Sequence, residues 1–190
     1  MTGKIREAGY EDLAAVKKMT DEYIGQDFYS MSFLREICDA DNKYLYVYAN
    51  DRDEAVAYLY IFVSTLEEAL RILHITYEES GLAGAEPESK VGVYKTTCTR
   101  KEYRNQGVLA AFLDSLEDIV RQNRVERILA PALKSPTGLV PVQTQVLEAG
   151  FHKVGEGMRP WSGIDAYCPY CKSMNCKCQC VLYVKEMTYE

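Results

Sequence analysis

This 190-residue sequence has little histidine and lacks excess positive charge and long apolar runs. The two histidines, His74 and His152, each read as structural or solvated: one lies on a predicted helix, the other follows Phe151 in a predicted strand. The longest apolar stretch, Ala55 to Val63, has nine residues, against about 20 needed to cross a bilayer. That excludes a membrane-spanning helix. The opening MTGKIREAGYEDL mixes charges and has no apolar core, so no signal peptide is expected and a cytoplasmic location is. The 22 Lys and Arg against 28 Asp and Glu, a net charge of −6, argue against a nucleic-acid partner, because phosphate backbones need clustered cations. The same balance suits a cationic substrate such as an amine. There is no internal repeat or low-complexity tract. At 47% hydrophobic and 26% charged residues, the chain has the composition of one ordinary globular domain over 1–190.

The periodicities predict alternating elements. KIREA reads as a short strand, and Tyr10 to Ile24, with Leu13, Val16, Met19 and Tyr23 spaced by three or four, as an amphipathic helix. Met31 to Cys38 reads as a second helix. Tyr44 to Ala49 and Ala55 to Val63, rich in β-branched and aromatic residues around a polar NDRDE turn, form an expected antiparallel hairpin. Ser64 with Glu67 and Thr65 with Glu68 fit capping boxes for a helix from Thr65 to His74. Glu78 to Ser89 reads as a loop. Val91 to Thr99 is a strand, RKEYRNQ a loop, and Gly107 to Asn123 a helix with Leu109, Phe112, Leu113, Leu116, Ile119 and Val120 on one face. RILAPAL is a strand. Pro141 to Ala149 is a short helix opened by proline and closed by Gly150. Phe151 to Met158 and Cys180 to Met187 are the final strands. The expected class is α/β, a mixed and mainly antiparallel twisted sheet of six to seven strands flanked by helices.

The segment TCTRKEYRNQGVLAAFL, Thr97 to Leu113, carries the most chemistry. A strand runs into a glycine-containing turn, and a helix begins at once. The first turn of a helix leaves backbone N–H groups unpaired, and the helix dipole adds partial positive charge. A diphosphate matches that end. Gly107 lets the backbone approach it without a Cβ, and Arg104 can add a charge-assisted contact.

The run EYRNQGVLAAFL resembles the acyl-CoA-binding motif of the GNAT N-acyltransferase superfamily, Gln/Arg-x-x-Gly-x-Gly/Ala, at Arg104 and Gly107. VLEAGFHKVGEGM, Val146 to Met158, is similar to that family's helix end, Gly-Phe corner and following strand. The resemblance implies acetyl-CoA as cosubstrate, with the diphosphate held by backbone N–H groups of Arg104, Asn105, Gln106, Gly107, Val108 and Leu109. It implies that Thr97, Cys98 and Thr99 line a splayed strand that pairs with the pantetheine arm, one N–H polarising the thioester carbonyl. The implied reaction is direct acetyl transfer to a primary amine of a small molecule or peptide; a non-catalytic acyl-CoA or metal sensor is the alternative. A second copy of the chain is a further partner left open.

Two departures stand out. Leu109 replaces the second small residue, so its side chain has to turn into the core. The tyrosine that family members often carry four residues before the Gly-Phe glycine, as acid for the leaving thiolate, is here Val146. Among the chain's 15 tyrosines, Tyr94, Tyr103, Tyr167 and Tyr183 are conceivable substitutes, with Tyr183 and Glu102 the catalytic candidates named. Glu102 and the carboxylates between Glu67 and Glu79 are candidate bases. Cys98 is a candidate for covalent catalysis, though a strand cysteine is more often a buried hydrophobe.

Five of the seven cysteines fall between Cys168 and Cys180. Cys168-Pro-Tyr-Cys171 followed by Cys176-Lys-Cys178-Gln-Cys180 offers four thiolates to a tetrahedral ion at about 2.3 Å, a closed structural zinc site. Cys168, Cys171, Cys176 and Cys178 are the preferred set, with Cys180 able to replace Cys178. Free thiols, disulfides or an iron–sulfur site compete with zinc. A nucleic-acid zinc knuckle lacks its histidine. The cluster falls in the connection at about 165–180 between the last two strands, which a metal would fix.

Overall fold

The computed structural model describes residues 3–189. Seven strands form one sheet in the order β1-β2-β3-β4-β5-β7-β6. The hairpin predicted in the first third is β2 (Lys43–Ala49) with β3 (Ala55–Thr65), antiparallel, and β1 (Lys4–Glu7) adds to its outer edge. β3 reads as a continuous apolar run because both its faces are covered: Tyr58, Tyr60 and Phe62 face one core and Ala57, Leu59, Ile61 and Val63 the other.

On the first face lie α1 (Leu13–Tyr23), α2 (Met31–Asp39) and α3 (Leu66–Leu73). The Thr65 side chain accepts from the Glu68 N–H to start α3. The Thr20 and Tyr58 hydroxyls meet at 2.8 Å deep in this core. On the second face α5 (Val108–Gln122) buries Phe112, Leu113, Leu116, Ile119 and Val120, joined by Val146 of α6 (Gln143–Glu148).

The predicted loop over Glu78 to Ser89 is more ordered than its composition suggests. Thr76 and Glu79 cap each other to close one turn, α4 (Tyr77–Ser80). Left-handed Gly81 then passes so close to β6 (His152–Met158) that a Cβ would sit 2.0 Å from the Val154 carbonyl oxygen. The predicted proline start of α6 also moves: the helix begins at Gln143, and Pro141 is left to line a cavity.

The crossover β4 (Lys90–Thr99), α5, β5 (Arg127–Lys134) makes the only parallel pair among the described strands. It spans three rungs, Val91 to Val93 against Arg127 to Leu129. Beyond them the strands diverge, while β5 continues to pair with β7 (Gln179–Glu186) and β7 with β6.

Candidate active site

The divergence of β4 and β5 opens a cavity whose vertex is at Tyr94. Its walls come from both strands, from the α1–α2 connection at Phe28, and from the cysteine-rich loop at Trp161, Tyr167 and Tyr170.

β4 carries a bulge here. Against β3 the register slips by one residue between Thr96 and Tyr94, leaving Lys95 unpaired. Val91, Val93 and Cys98 all pack into the α1/α2 core, so odd positions before the bulge and even positions after it share a face. Lys95 and Thr96 therefore lie side by side on that face, and Tyr94 and Thr97 fall on the α5 face. The Thr96 hydroxyl meets buried Tyr29 at 2.5 Å. The Thr97 hydroxyl donates to the Tyr58 carbonyl at 3.1 Å. The Tyr94 hydroxyl lies beside Thr97 without an aligned hydrogen bond, and burial raises its pKa.

At the far end of β4 the backbone turns sharply. Asn105 and Gly107 are both left-handed, φ 59° and 80°, and Gly107 is the N-cap of α5. A Cβ on Gly107 would meet nothing within 4 Å. No acceptor among the described residues faces the N–H groups of residues 105 to 110. The first helical bond is Ala111 N–H to the Gly107 carbonyl at 3.0 Å. The turn is solvent-exposed, and Leu109 packs its side chain against the α5 core. This end can hold an anion. Arg104, expected to point at that anion, is otherwise engaged: its Nε donates 3.0 Å to the Thr99 carbonyl, and the guanidinium stacks on Tyr23.

The remaining candidates disperse. Cys98 is buried against α1, donating weakly to the Met19 carbonyl at 3.7 Å, and burial pushes its thiol up to about 12. A thiol so placed faces away from the cavity and is poorly ionised, the buried-hydrophobe reading of a strand cysteine, which removes Cys98 as a candidate nucleophile. Tyr183 is buried on β7 in the α5 core, and Glu102 is exposed on the surface turn; neither lines the cavity. Tyr103 accepts from Asn50 Nδ2 away from it. Tyr167 stands at its mouth. Glu68 pairs with Arg71, Glu79 caps α4, and His74 and His152 are exposed. Val146 is fully buried. Lys95 was not anticipated. Its signal is the single lysine inside the otherwise uncharged strand core VGVYKTTC. Burial depresses its pKa to about 8, opposed by the nearby Cys180 thiol.

The Sγ atoms of Cys168, Cys171, Cys176 and Cys178 all lie within 4.8 Å of one another. Cys168 N–H bonds the Ser173 carbonyl at 3.0 Å across a tight turn through left-handed Lys172. Lys177 N–H donates to Cys171 Sγ at 3.3 Å. Burial raises the Cys176 thiol to about 11. At Cys171 burial acts the same way, but the Lys177 N–H and the neighbouring thiols outweigh it and the net shift is downward. Converging sulfurs with an amide donor behind one of them are the donor set of a soft tetrahedral cation. Cys180 stands apart, buried in β7 opposite Leu133 and Met158. Cys168 and Cys176 also line the cavity, so the clip forms part of its wall.

No protein-family profile and no curated protein sequence matches the chain. Solved structures do. Arabidopsis thaliana NAA60 in complex with acetyl-CoA superposes with a TM-score of 0.69 at 12% identity, covering 98% of this chain and 99% of that one. The ribosomal-protein-S18-alanine N-acetyltransferase of Escherichia coli gives 0.63 at 10% identity, covering 100% and 96%. The aminoglycoside 6'-N-acetyltransferase AAC(6')-Ih of Acinetobacter baumannii gives 0.62 at 14%, covering 83% and 96%. The chain thus has the fold of the GNAT N-acetyltransferases.

Proposed function

We propose that the protein transfers an acetyl group from acetyl-CoA directly to a primary amine. The observation that carries this reading is the row of acceptor-free N–H groups at residues 105 to 110, at the helix end that follows the diverging strand. Those amides and the dipole of α5 would hold the diphosphate. The edge of β4 past Val93, unpaired toward β5, would receive the pantetheine arm along Thr97, Cys98 and Thr99, where a backbone N–H polarises the thioester carbonyl. The ammonium of the acceptor loses a proton to water. Its lone pair then forms the C–N bond, the C–S bond breaks, and the Tyr94 hydroxyl at the vertex protonates the leaving thiolate, recovering the proton released by the attacking nitrogen. Tyr94 thus takes the acid role that Val146 cannot.

Cys168, Cys171, Cys176 and Cys178 would hold one zinc ion, whose chemistry is structural: it ties the loop that walls the cavity. A binding-only reading, an acyl-CoA sensor, is favoured by Val146 alone.

Calorimetry with coenzyme A and acetyl-CoA tests the central claim. Saturable binding with a Kd in the micromolar range is expected, and thiol release in the presence of amines separates transfer from sensing. Absence of binding to either nucleotide ends the proposal.

A further inference from the structure

Lys95 is the one charged side chain among the described residues that line the cavity. Its Nζ has no hydrogen-bond or ion-pair partner among the described residues. An ammonium group carries three donors, and in this half-buried position they are left to water or to whatever occupies the cavity. No Asp or Glu lines the cavity. Apart from the Cys168 and Cys176 sulfurs, the wall around Lys95 is mostly apolar and aromatic, with Phe28, Leu133, Trp161, Ile164 and Tyr170. Such a chamber has no carboxylate to pair with a polycation, whose charge would add to that of Lys95. It suits a molecule with an apolar body and one anionic end.

The bulge decides which side of the sheet this anion would occupy. Lys95 is turned to the α1/α2 face and the cysteine-rich loop, whereas Tyr94, Thr97 and the start of α5 lie on the opposite face. The two faces meet at the vertex. An anion on Lys95 is thus separated from a diphosphate on α5 by the width of the splayed strand. Resting on the acetyl-transfer reading, we propose that the acceptor is a small α-amino acid with an apolar or aromatic side chain, its carboxylate held by Lys95. In an α-amino acid a single carbon separates carboxylate from amine, so fixing the carboxylate on Lys95 keeps the nucleophile at the vertex beside Thr96 and Thr97.

Two matched ligands isolate the claim. N-acetylphenylalanine and N-acetylphenethylamine differ by the carboxylate, and calorimetry reads their affinities without turnover. The acid should bind at least tenfold more tightly to the wild-type protein. Lys95→Met should erase that difference, and Lys95→Arg should retain part of it. In transfer assays phenylalanine should exceed phenethylamine by a similar factor in kcat/KM, with the Lys95→Met loss falling mainly on KM. Equal or tighter binding of the neutral ligand, a preference for spermidine, or an unchanged ratio in Lys95→Met would overturn the inference. So would stoichiometric acetylation of Lys95 itself, detected by mass spectrometry. Coenzyme A binding is titrated separately. Its failure would remove the acetyl-transfer reading, while the acid–neutral pair would still decide what Lys95 binds.

Discussion

Arg104 lies over the face of Tyr23, its guanidinium carbon 4.6 Å from the ring centroid, while its Nε holds the carbonyl of Thr99. One side chain thereby ties the end of β4 to the last turn of α1, across the residues that precede the helix start. A cation–π contact at an exposed site contributes about 0.5–1 kcal/mol. Tyr23→Leu should lower unfolding free energy by about that amount in urea titrations. Arg104→Ala should cost at least as much and also weaken coenzyme A binding, because the turn it braces loses its anchor. If Arg104→Ala leaves both quantities unchanged, the residue is a bystander.

Gly107 separates backbone strain from ligand clash. A Cβ there meets no protein atom within 4 Å, so Gly107→Ala costs only the left-handed conformation, about 1–2 kcal/mol. The added methyl would stand where the diphosphate approaches. Coenzyme A affinity should therefore fall by about tenfold or more, well beyond the change in stability.

Tyr94→Phe should keep coenzyme A affinity, since the ring remains in place. The turnover number should fall by about a hundredfold, the loss expected for removing a general acid. Thiol release under saturating acetyl-CoA provides the number. A variant with wild-type turnover would send the acid role elsewhere.

The cysteines sort into two groups by position. On the proposed zinc site, elemental analysis should find about one equivalent of zinc in the wild-type protein, and Cys171→Ser should abolish it and lower Tm, since the loop loses its clip. Cys180→Ser should leave the zinc content intact, because that thiol is buried in β7 away from the four converging sulfurs.

Lys95 makes stability depend on pH in a definite direction. Its pKa is depressed from the ordinary 10.5 to about 8 in the folded chain. Between those values the unfolded chain binds more protons, so stability rises with pH, and below about 8 the full cost of the partly desolvated ammonium is present. The groups facing it titrate later or are walls of the cavity: Cys180 is pushed up to about 12, Tyr29 and Tyr94 are raised further by burial, and Cys168, Cys176 and Tyr170 complete the surroundings. Lys95→Met should stabilise the protein at pH 7 by on the order of 2 kcal/mol, with the gain shrinking above pH 8. Urea titrations across pH 7 to 10 measure it.

Most elements of the fold were legible because their periods are clean. The apolar stripe of α5 and the β2–β3 hairpin follow directly from spacing. The turn before α5 is readable because a strand, a glycine and an amphipathic stripe are local signals. The cavity chemistry is not. Whether Thr97 or Cys98 faces the cleft depends on the bulge at Lys95, and a one-residue slip inverts every side chain after it. Nothing local distinguishes a lysine at a bulge from one on an edge. Tyr183 and Tyr94 enter the same α5 core, but only Tyr94 lines the cavity; where along a strand the cleft opens is decided by neighbours far along the chain.

The parallel pairing of β4 with β5 spans only three rungs, so the sheet works as a book with a short spine. One leaf carries β1 to β4, the other β5, β7 and β6, and the angle between them fixes the width of the gutter. At the middle of the three rungs, Gly92 leaves so little clearance that a Cβ would come within 2.9 Å of Val120 on α5. A methyl at that point would press α5 outward like a wedge behind the spine, and the gutter would change its width far from where the wedge was placed.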